Sequence, residues 1–451
     1  MGMDPVLARF ADDSPITVMA RLVLERTLPA SWVDEVFTAN AKSQYTKELL
    51  FSEVVDLMSL VSLGLRPNLH AAAKKSNLSV SMTALYDKVN RVELPVTQAL
   101  VRGAATRLTP VMSLLRKDRI LDGYTLRIID GNCLPPSEKR LAPLRDLRGT
   151  VLPGKSLVVY DPDLDLVTDV VLNEDGHAGE QPMVNSLLEA GKPDELWMGD
   201  CAFSTRELLL LGRRTNVLFR EHPAHPNATP VGPRREIGRC DTGTVFEQEV
   251  TIPDGDGGTH SLRRIEIELD TPTEDGVKVV RLLTNLPKSV KAKKVAKLYV
   301  KRWTIERMFG RLESALNSEV NTLAYPAAAL FAFGLATVSY NVLAAVEAAV
   351  ENAHELEEED ELSTYHVAEE VKATMRGLDI AVAASVWVQY AKQSTSEFAA
   401  TLLSLGSSVK PKHFQKAVRG PKKEKPKGRV SAKEASRQSA TARLLKKRQD
   451  S

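Results

Sequence analysis

Two aspartates stand at the ends of apolar runs. Asp130 closes YTLRIID and is followed by Gly131, and Asp200 closes DELWMGD and is followed by Cys201. A carboxylate at the end of a buried strand rides on a rigid element, as a ligand of a metal ion must. Taken singly, each also fits an Asp that merely opens a loop. A third acid, Glu306, lies in KLYVKRWTIERMFGRLES, where Tyr299, Arg302, Glu306 and Glu313 follow one another at intervals of three, four and seven. At about 100° per residue they form one stripe of a helix, roughly 90° from the apolar face of Leu298, Ile305, Leu312 and Leu316. Glu306 is thereby expected at the edge of the core, where the helix meets a sheet. An exposed Arg302–Glu306 ion pair, worth about a few tenths of a kcal/mol, is the plain alternative.

The three acids are 70 and 106 residues apart, so only a fold can gather them. Residues 1–118 read as helical, with apolar positions three and four apart and Gly64 and Pro67 ending one run. Within them, NLHAAAKKSNLSVSMTALYDKVNRV reads as helix, short turn (Ser76-Asn77-Leu78) and helix, with Ser79 as N-cap. The second helix carries Ser81, Thr83, Lys88 and Arg91 and has the form of one that enters a major groove. Two packed helices of an all-α subdomain fit equally well. From Tyr124 the pattern turns to strands interleaved with helices, which predicts an α/β fold with a sheet of mixed direction over 119–225 and 278–325. Residues 226–277, rich in Gly, Pro, Thr and Asp, read as a small β-rich insertion. One long helix is expected from about Ser289 to Val320. Residues 326–408 read as apolar helices interrupted by the acidic HELEEEDEL, and 409–451 as a basic, low-complexity, disordered tail.

The chain has 60 Lys+Arg and 58 Asp+Glu, a net charge of +2 that argues superficially against a nucleic-acid binder. The average misleads. Residues 410–451 hold fifteen basic and three acidic side chains, a local +12, and the rest carries −10. No run of 18 apolar residues is present to span a bilayer, and the N-terminus lacks a basic segment followed by an apolar one, which predicts a cytoplasmic protein. Cys133, Cys201 and Cys240 match no zinc or disulfide pattern.

Several segments together carry a resemblance. IIDGN, ELWMGDCAFST and the Tyr299–Arg302–Glu306 pattern resemble the successive signatures of bacterial insertion-sequence transposases, most nearly the insertion-sequence-four family. ALYDKVNRVE, LPGKSLVVYDP and EDGHAGEQ extend the similarity over roughly residues 70–345. The resemblance implies a ribonuclease H-like core with N- and C-terminal helical flanks. It also implies a DDE site in which Asp130, Asp200 and Glu306 hold Mg²⁺, with Mn²⁺ as a possible substitute. Tyr299 and Arg302 would contact DNA near the reacting phosphate. The family usually has Lys where this chain has Glu313, so Arg307 or Arg311 is expected to take over that contact. Members often stack a flipped base on a Trp of the β insertion; here that segment offers only Phe246. The implied partners are transposon terminal repeats, target DNA and a second copy of the chain, and the implied setting is the nucleoid. Two Mg²⁺ about 3.5–4 Å apart serve both ends of an in-line phosphoryl displacement, and such hard ions need only oxygen ligands. A silent DNA-binding regulator derived from a transposase, or a ribonuclease H-like nuclease without strand transfer, would keep the fold and lose part of the reaction.

Three other motifs are set aside. GTVLPGKS (Gly149 to Ser156) matches a phosphate-binding loop, but a polar stretch precedes it and a β-type run follows, the reverse of what nucleotide binding needs. Lys155 reads instead as a solvated loop lysine, or one facing DNA phosphate. Asp161, Asp163 and Asp165 open like a calcium loop, but Leu166 stands where Gly is required. His177 fits an active-site position and a helix-leading loop equally well.

Overall fold

The computed structural model describes residues 4–416 except 45, 47, 77, 117, 136–152, 190, 223–227, 274–275, 321, 324 and 358–359. The basic tail expected over 409–451 thus lies almost wholly outside the described residues, as does the first half of GTVLPGKS.

The N-terminal part is built of α1 (Pro5–Asp13), α2 (Pro15–Thr27), α3 (Ala30–Asn40), α4 (Phe51–Ser62), α5 (Leu69–Ala73), α6 (Met82–Val89) and α7 (Leu94–Leu115). Local chemistry sets their starts. The Asp4 carboxylate accepts from the Val6 and Leu7 amides ahead of Pro5, and Glu53 reaches back to the Leu50 amide at 2.9 Å. The expected short-turn pair is corrected here. α5 has only five residues, and the connection to α6 spans 74–81 rather than three or four residues. The N-cap is Ser81, not Ser79: its hydroxyl accepts from the Ala84 amide at 3.2 Å.

The central part runs β1 (Thr125–Cys133), β2 (Lys155–Asp161), β3 (Leu166–Asn173), α8 (Gln181–Glu189), β4 (Glu195–Gly199), α9 (Arg206–Leu210) and β5 (Asn216–Arg220). It continues with β6 (Thr229–Pro230), β7 (Arg235–Cys240), β8 (Gly243–Pro253), β9 (Thr259–Leu269) and β10 (Val279–Thr284). These strands form a mixed sheet in the order β3-β2-β1-β4-β5-β10-β9-β8-β6, with β7 also on β8. β1, β4 and β5 are parallel, and the other pairs are antiparallel. The segment 226–277 is therefore no satellite: β9 pairs with β10 from Arg263–Thr284 to Glu268–Val279, so the inserted strands prolong the same sheet.

Strand alternation sorts the two faces. Leu126 and Ile128 of β1 enter the large core shared with the helices, whereas Ile129 enters a smaller core under α8 and α9 with Trp197, Phe203 and Phe219. Beyond the sheet follow α10 (Ala292–Val300), α11 (Trp303–Ala315), α12 (Pro326–Ala353), α13 (Thr364–Ala381), α14 (Ala384–Ala391) and α15 (Thr395–Ser407). The single helix expected from Ser289 to Val320 is broken at Lys301–Arg302, where the two amides turn back to the Leu298 and Tyr299 carbonyls.

α12 is interrupted by Thr337, Ser339 and Asn341 and so is no unbroken run of 18 apolar residues, but a membrane span is also judged by length and mean hydropathy. By length and composition it passes that test, yet its apolar window is wholly buried within the protein. Pro326 and the preceding Tyr325 begin it. Small residues let it pack closely against α7: a Cβ on Gly334 would lie 2.5 Å from Thr97 Cγ2.

Candidate active site

Asp130 lies inside β1, which runs three residues beyond it, rather than at its end. Asp200 follows the last residue of β4. The two strands are parallel neighbours, and Ile128 pairs with Met198. Each aspartate is two residues past that pair, so they stand at the same level on strands that run about 4.8 Å apart. Asp200 accepts from the Ala202 amide at 2.7 Å and starts a 3-10 turn, which fixes its backbone. Asp130 shares the side of Ile128 and faces α11.

The break between α10 and α11 supplies the opposing wall. Tyr299, 8% exposed, lies in the last turn of α10, and its hydroxyl donates to the Gly199 carbonyl at 3.4 Å, next to Asp200. Arg302 occupies the break itself. Its Nη2 donates to Glu306 Oε1 at 2.9 Å, and its Nη1 is 3.9 Å from Asp130 Oδ2. The guanidinium also stacks 4.8 Å from the ring centroid of Trp303, a tryptophan left 56% exposed. Burial pushes the Asp130 carboxyl up to about 6; Arg302 opposes this, and the negative charges of Asp200 and Glu180 reinforce it.

Glu180 and Trp303 are the neighbours that sequence reasoning missed. Glu180 precedes α8, and its Oε1 pairs with Lys155 Nζ at 3.0 Å. Lys155 is not the solvated loop lysine expected: it opens β2, also donates to the Ala178 carbonyl, and is 13% exposed. The signals were the glutamate in EDGHAGEQ and the tryptophan directly after Arg302.

Other expected residues lie elsewhere. Arg307 is exposed on α11 and lines a cavity of about 450 Å³ with Lys301, Arg311 and Arg116. Arg311 is committed to an internal network, bonding Asp165 at 3.0 Å, Tyr340 at 3.3 Å and Glu361, so it is not presented as an open phosphate ligand. Glu313 is exposed two turns after Glu306. In the N-terminal region Thr83 and Arg91 are exposed, Ser81 is used as a cap, and Lys88 lies 4.1 Å over the Phe37 ring. The Asp161-x-Asp163-x-Asp165 turn serves structure: Asp161 pairs with Arg127 at 2.6 Å, and Asp163 accepts from the Ile120 amide. His177 sits exposed in the turn before α8.

The donor set suits a hard divalent cation, being carboxylate oxygen throughout. The Arg302 guanidinium stands between Asp130 and Glu306. Among the described residues no three His, Cys, Asp or Glu are already gathered closely enough to hold an ion. In this arrangement one guanidinium separates Asp130 from Glu306 and offsets part of their charge.

The mixed sheet with helical flanks carries two level aspartates on neighbouring parallel strands, Asp130 within β1 and Asp200 just past β4. Residues 123–342, just under half of the chain, match the family model for the transposase DDE domain, which supports a DDE transposase. No curated protein matches the chain.

Proposed function

We propose that the chain is an insertion-sequence transposase of the insertion-sequence-four type, with a ribonuclease H-like core. It would cut transposon ends and join them to target DNA. One observation carries this reading. Within the span that matches the transposase DDE domain, Asp130 and Asp200 stand level on neighbouring parallel strands, with Glu306 on the far side of Arg302.

Asp130, Asp200 and Glu306 are the residues that would hold magnesium, with manganese as a substitute. Bound ions there supply activation of the attacking oxygen and stabilisation of the leaving oxygen. The remaining work belongs to the chain. Arg302, fixed by Trp303 and the α10–α11 break, offers its guanidinium to phosphate oxygens once the carboxylates are otherwise neutralised. Tyr299 holds that break against the end of β4. Trp303 gives an exposed ring on which a base beside the cut can stack. Arg307, Thr83 and Arg91 contribute backbone contacts, with Ser81 and Lys88 shaping the N-terminal surface. The basic tail adds salt-sensitive phosphate binding. Two ends must be held together, so the active form is a homodimer, working in the cytoplasm on the nucleoid.

The test is to incubate purified protein with terminal-repeat DNA and Mg²⁺ and score nicked and joined products. Joining supports the transposase. Cutting without joining points to a nuclease, and binding without cutting to a silent regulator.

A further inference from the structure

Residues 288–302 hold seven basic side chains and no acidic one, in a chain whose residues outside 410–451 carry a net −10. Lys291, Lys293, Lys294 and Lys297 lie on α10 or at its N-cap, and all four are exposed. The other side of the helix is apolar: Ala292, Val295, Ala296 and Leu298 are buried where α10 packs on β7, β8 and β9. Lys293 lies across β7, so that a Cβ on Gly238 would be 2.9 Å from its Nζ. The last turn of α10 holds Tyr299, whose hydroxyl reaches the Gly199 carbonyl beside Asp200, and Arg302 follows at the break. Val300 and Trp303, 53% and 56% exposed, continue the open surface from the lysines toward that edge.

Local chemistry gives this helix no reason to be so basic. A helix gains from acids in its first turn and from Glu–Lys pairs one turn apart. α10 has the reverse: Lys291 is its N-cap, Lys293 and Lys294 stand in its first turn, and Lys297 follows them at intervals of four and three with like charge. Among the described contacts, Lys297 alone of the four has an acidic partner, Asp241 at 3.2 Å, and both of those side chains are more than half exposed. Such a surface pair is worth little. Breaches of local rules concentrate at functional sites, where a ligand offsets their cost. The offsetting charge here must be negative and must extend along the helix, since no single point is close to all four lysines. Nine helical residues span about 14 Å, the rise of about four base pairs of duplex.

We propose that the exposed face of α10 is a track for the backbone of duplex DNA, on which Lys291, Lys293, Lys294 and Lys297 hold phosphates beside the phosphodiester at Asp130 and Asp200. This rests on the transposase reading above and assigns where the duplex lies next to the cut. Lysine ammonium groups bind phosphate as point charges and carry no base readout, so the track is blind to sequence.

The experiment titrates a labelled random-sequence duplex with the full chain by fluorescence anisotropy over a range of NaCl concentrations, so that residues 410–451 contribute alike in every variant. The triple variant Lys293→Gln, Lys294→Gln, Lys297→Gln should bind about tenfold or more weakly at low salt, and the slope of log affinity against log salt should fall by about 2–3, near one per lost phosphate contact. Arginine at the same three positions keeps the charge and should keep the wild-type slope. A control triple, Arg9→Gln, Arg376→Gln, Lys392→Gln, removes the same charge from exposed positions on α1, on α13 and just after α14, and should leave the slope unchanged. Thermal melts should show the first triple as stable as wild type or more so, because like charges are relieved. If that triple binds duplex with the wild-type slope, or the control triple loses as much, the track is absent and the proposal falls alone. Weakened binding of single-stranded DNA with duplex binding intact would also overturn it. If wild type binds no duplex at low salt, the transposase reading falls with it.

Discussion

Arg302 and Glu306 form an ion pair at 2.9 Å one helical turn apart, and the same guanidinium is 3.9 Å from Asp130. On an exposed helix such a pair would be a minor stabiliser. Here Arg302 is 8% exposed, stacked on Trp303 and aimed between two acids of the candidate triad. On the function proposed above, it would compete with a metal before DNA arrives and bind phosphate afterwards.

That dual position gives the first prediction. Arg302→Gln should lower DNA cleavage by about 100-fold or more, the scale of losing one oriented donor at a reacting centre. Mn²⁺ affinity should hold or tighten, since a competing cation is gone. Parallel cleavage and metal-binding assays check this, and a matching loss of metal affinity would contradict it.

Trp303 makes no large contribution to the core, being 56% exposed. Trp303→Ala should leave the melting temperature nearly unchanged and weaken binding to cleaved or frayed ends by about 1–3 kcal/mol, the usual worth of base–aromatic stacking. Fluorescence titration with end-frayed and fully paired duplexes tests it; equal losses on both substrates would speak against stacking.

A pH effect is expected far from the triad. Burial pushes the Glu347 carboxyl on α12 up to about 7, with Arg311 opposing and Glu351 and Asp165 reinforcing. Among the described residues its Oε1 has no partner in hydrogen-bond geometry, although the nearby Thr364 hydroxyl also opposes the rise. A carboxyl whose folded value exceeds its ordinary 4.5 binds more protons when folded, so its contribution to stability is present below about 4.5 and is lost as pH rises through about 7. Glu347→Gln should therefore raise the melting temperature at pH 8 and change little at pH 5. Thermal melts at the two pH values decide it.

The α7–α12 contact predicts a packing penalty. At Gly334 a Cβ would lie 2.5 Å from Thr97 Cγ2, and both positions are buried. Gly334→Val should destabilise the protein by about 1–3 kcal/mol, as overpacking does, measured by urea unfolding.

Much of this was legible in the sequence for identifiable reasons. Apolar alternation in YTLRIID marked β1, and a short apolar run in DELWMGD marked β4, which is buried on both faces; Asp130 and Asp200 came with them. Spacing alone could not place Arg302. A continuous helix and a helix broken at Lys301 share the same apolar positions, and only packing of Tyr299 against Gly199 distinguishes them. The prolonged sheet was hidden because Gly- and Thr-rich strands read alike in a satellite and at a sheet edge. Arg311 illustrates a different limit: its partners Asp165, Tyr340 and Glu361 are remote in sequence, so its internal role had no local signature. Glu180 was missed because its place beside Gly131 depends on the fold, and EDGHAGEQ offers two glutamates with no local signal to choose between them.

The central claim is that Asp130, Asp200 and Glu306 act together on a phosphodiester. The most direct measurement is single-turnover cleavage of terminal-repeat DNA in Mg²⁺ by wild type and by Asp130→Asn, Asp200→Asn and Glu306→Gln, with DNA affinity measured alongside. Cleavage should fall by about 1,000-fold or more in each, while DNA affinity stays near that of wild type or rises as carboxylate repulsion of phosphate is relieved. Full cleavage in any one of the three variants would contradict the account.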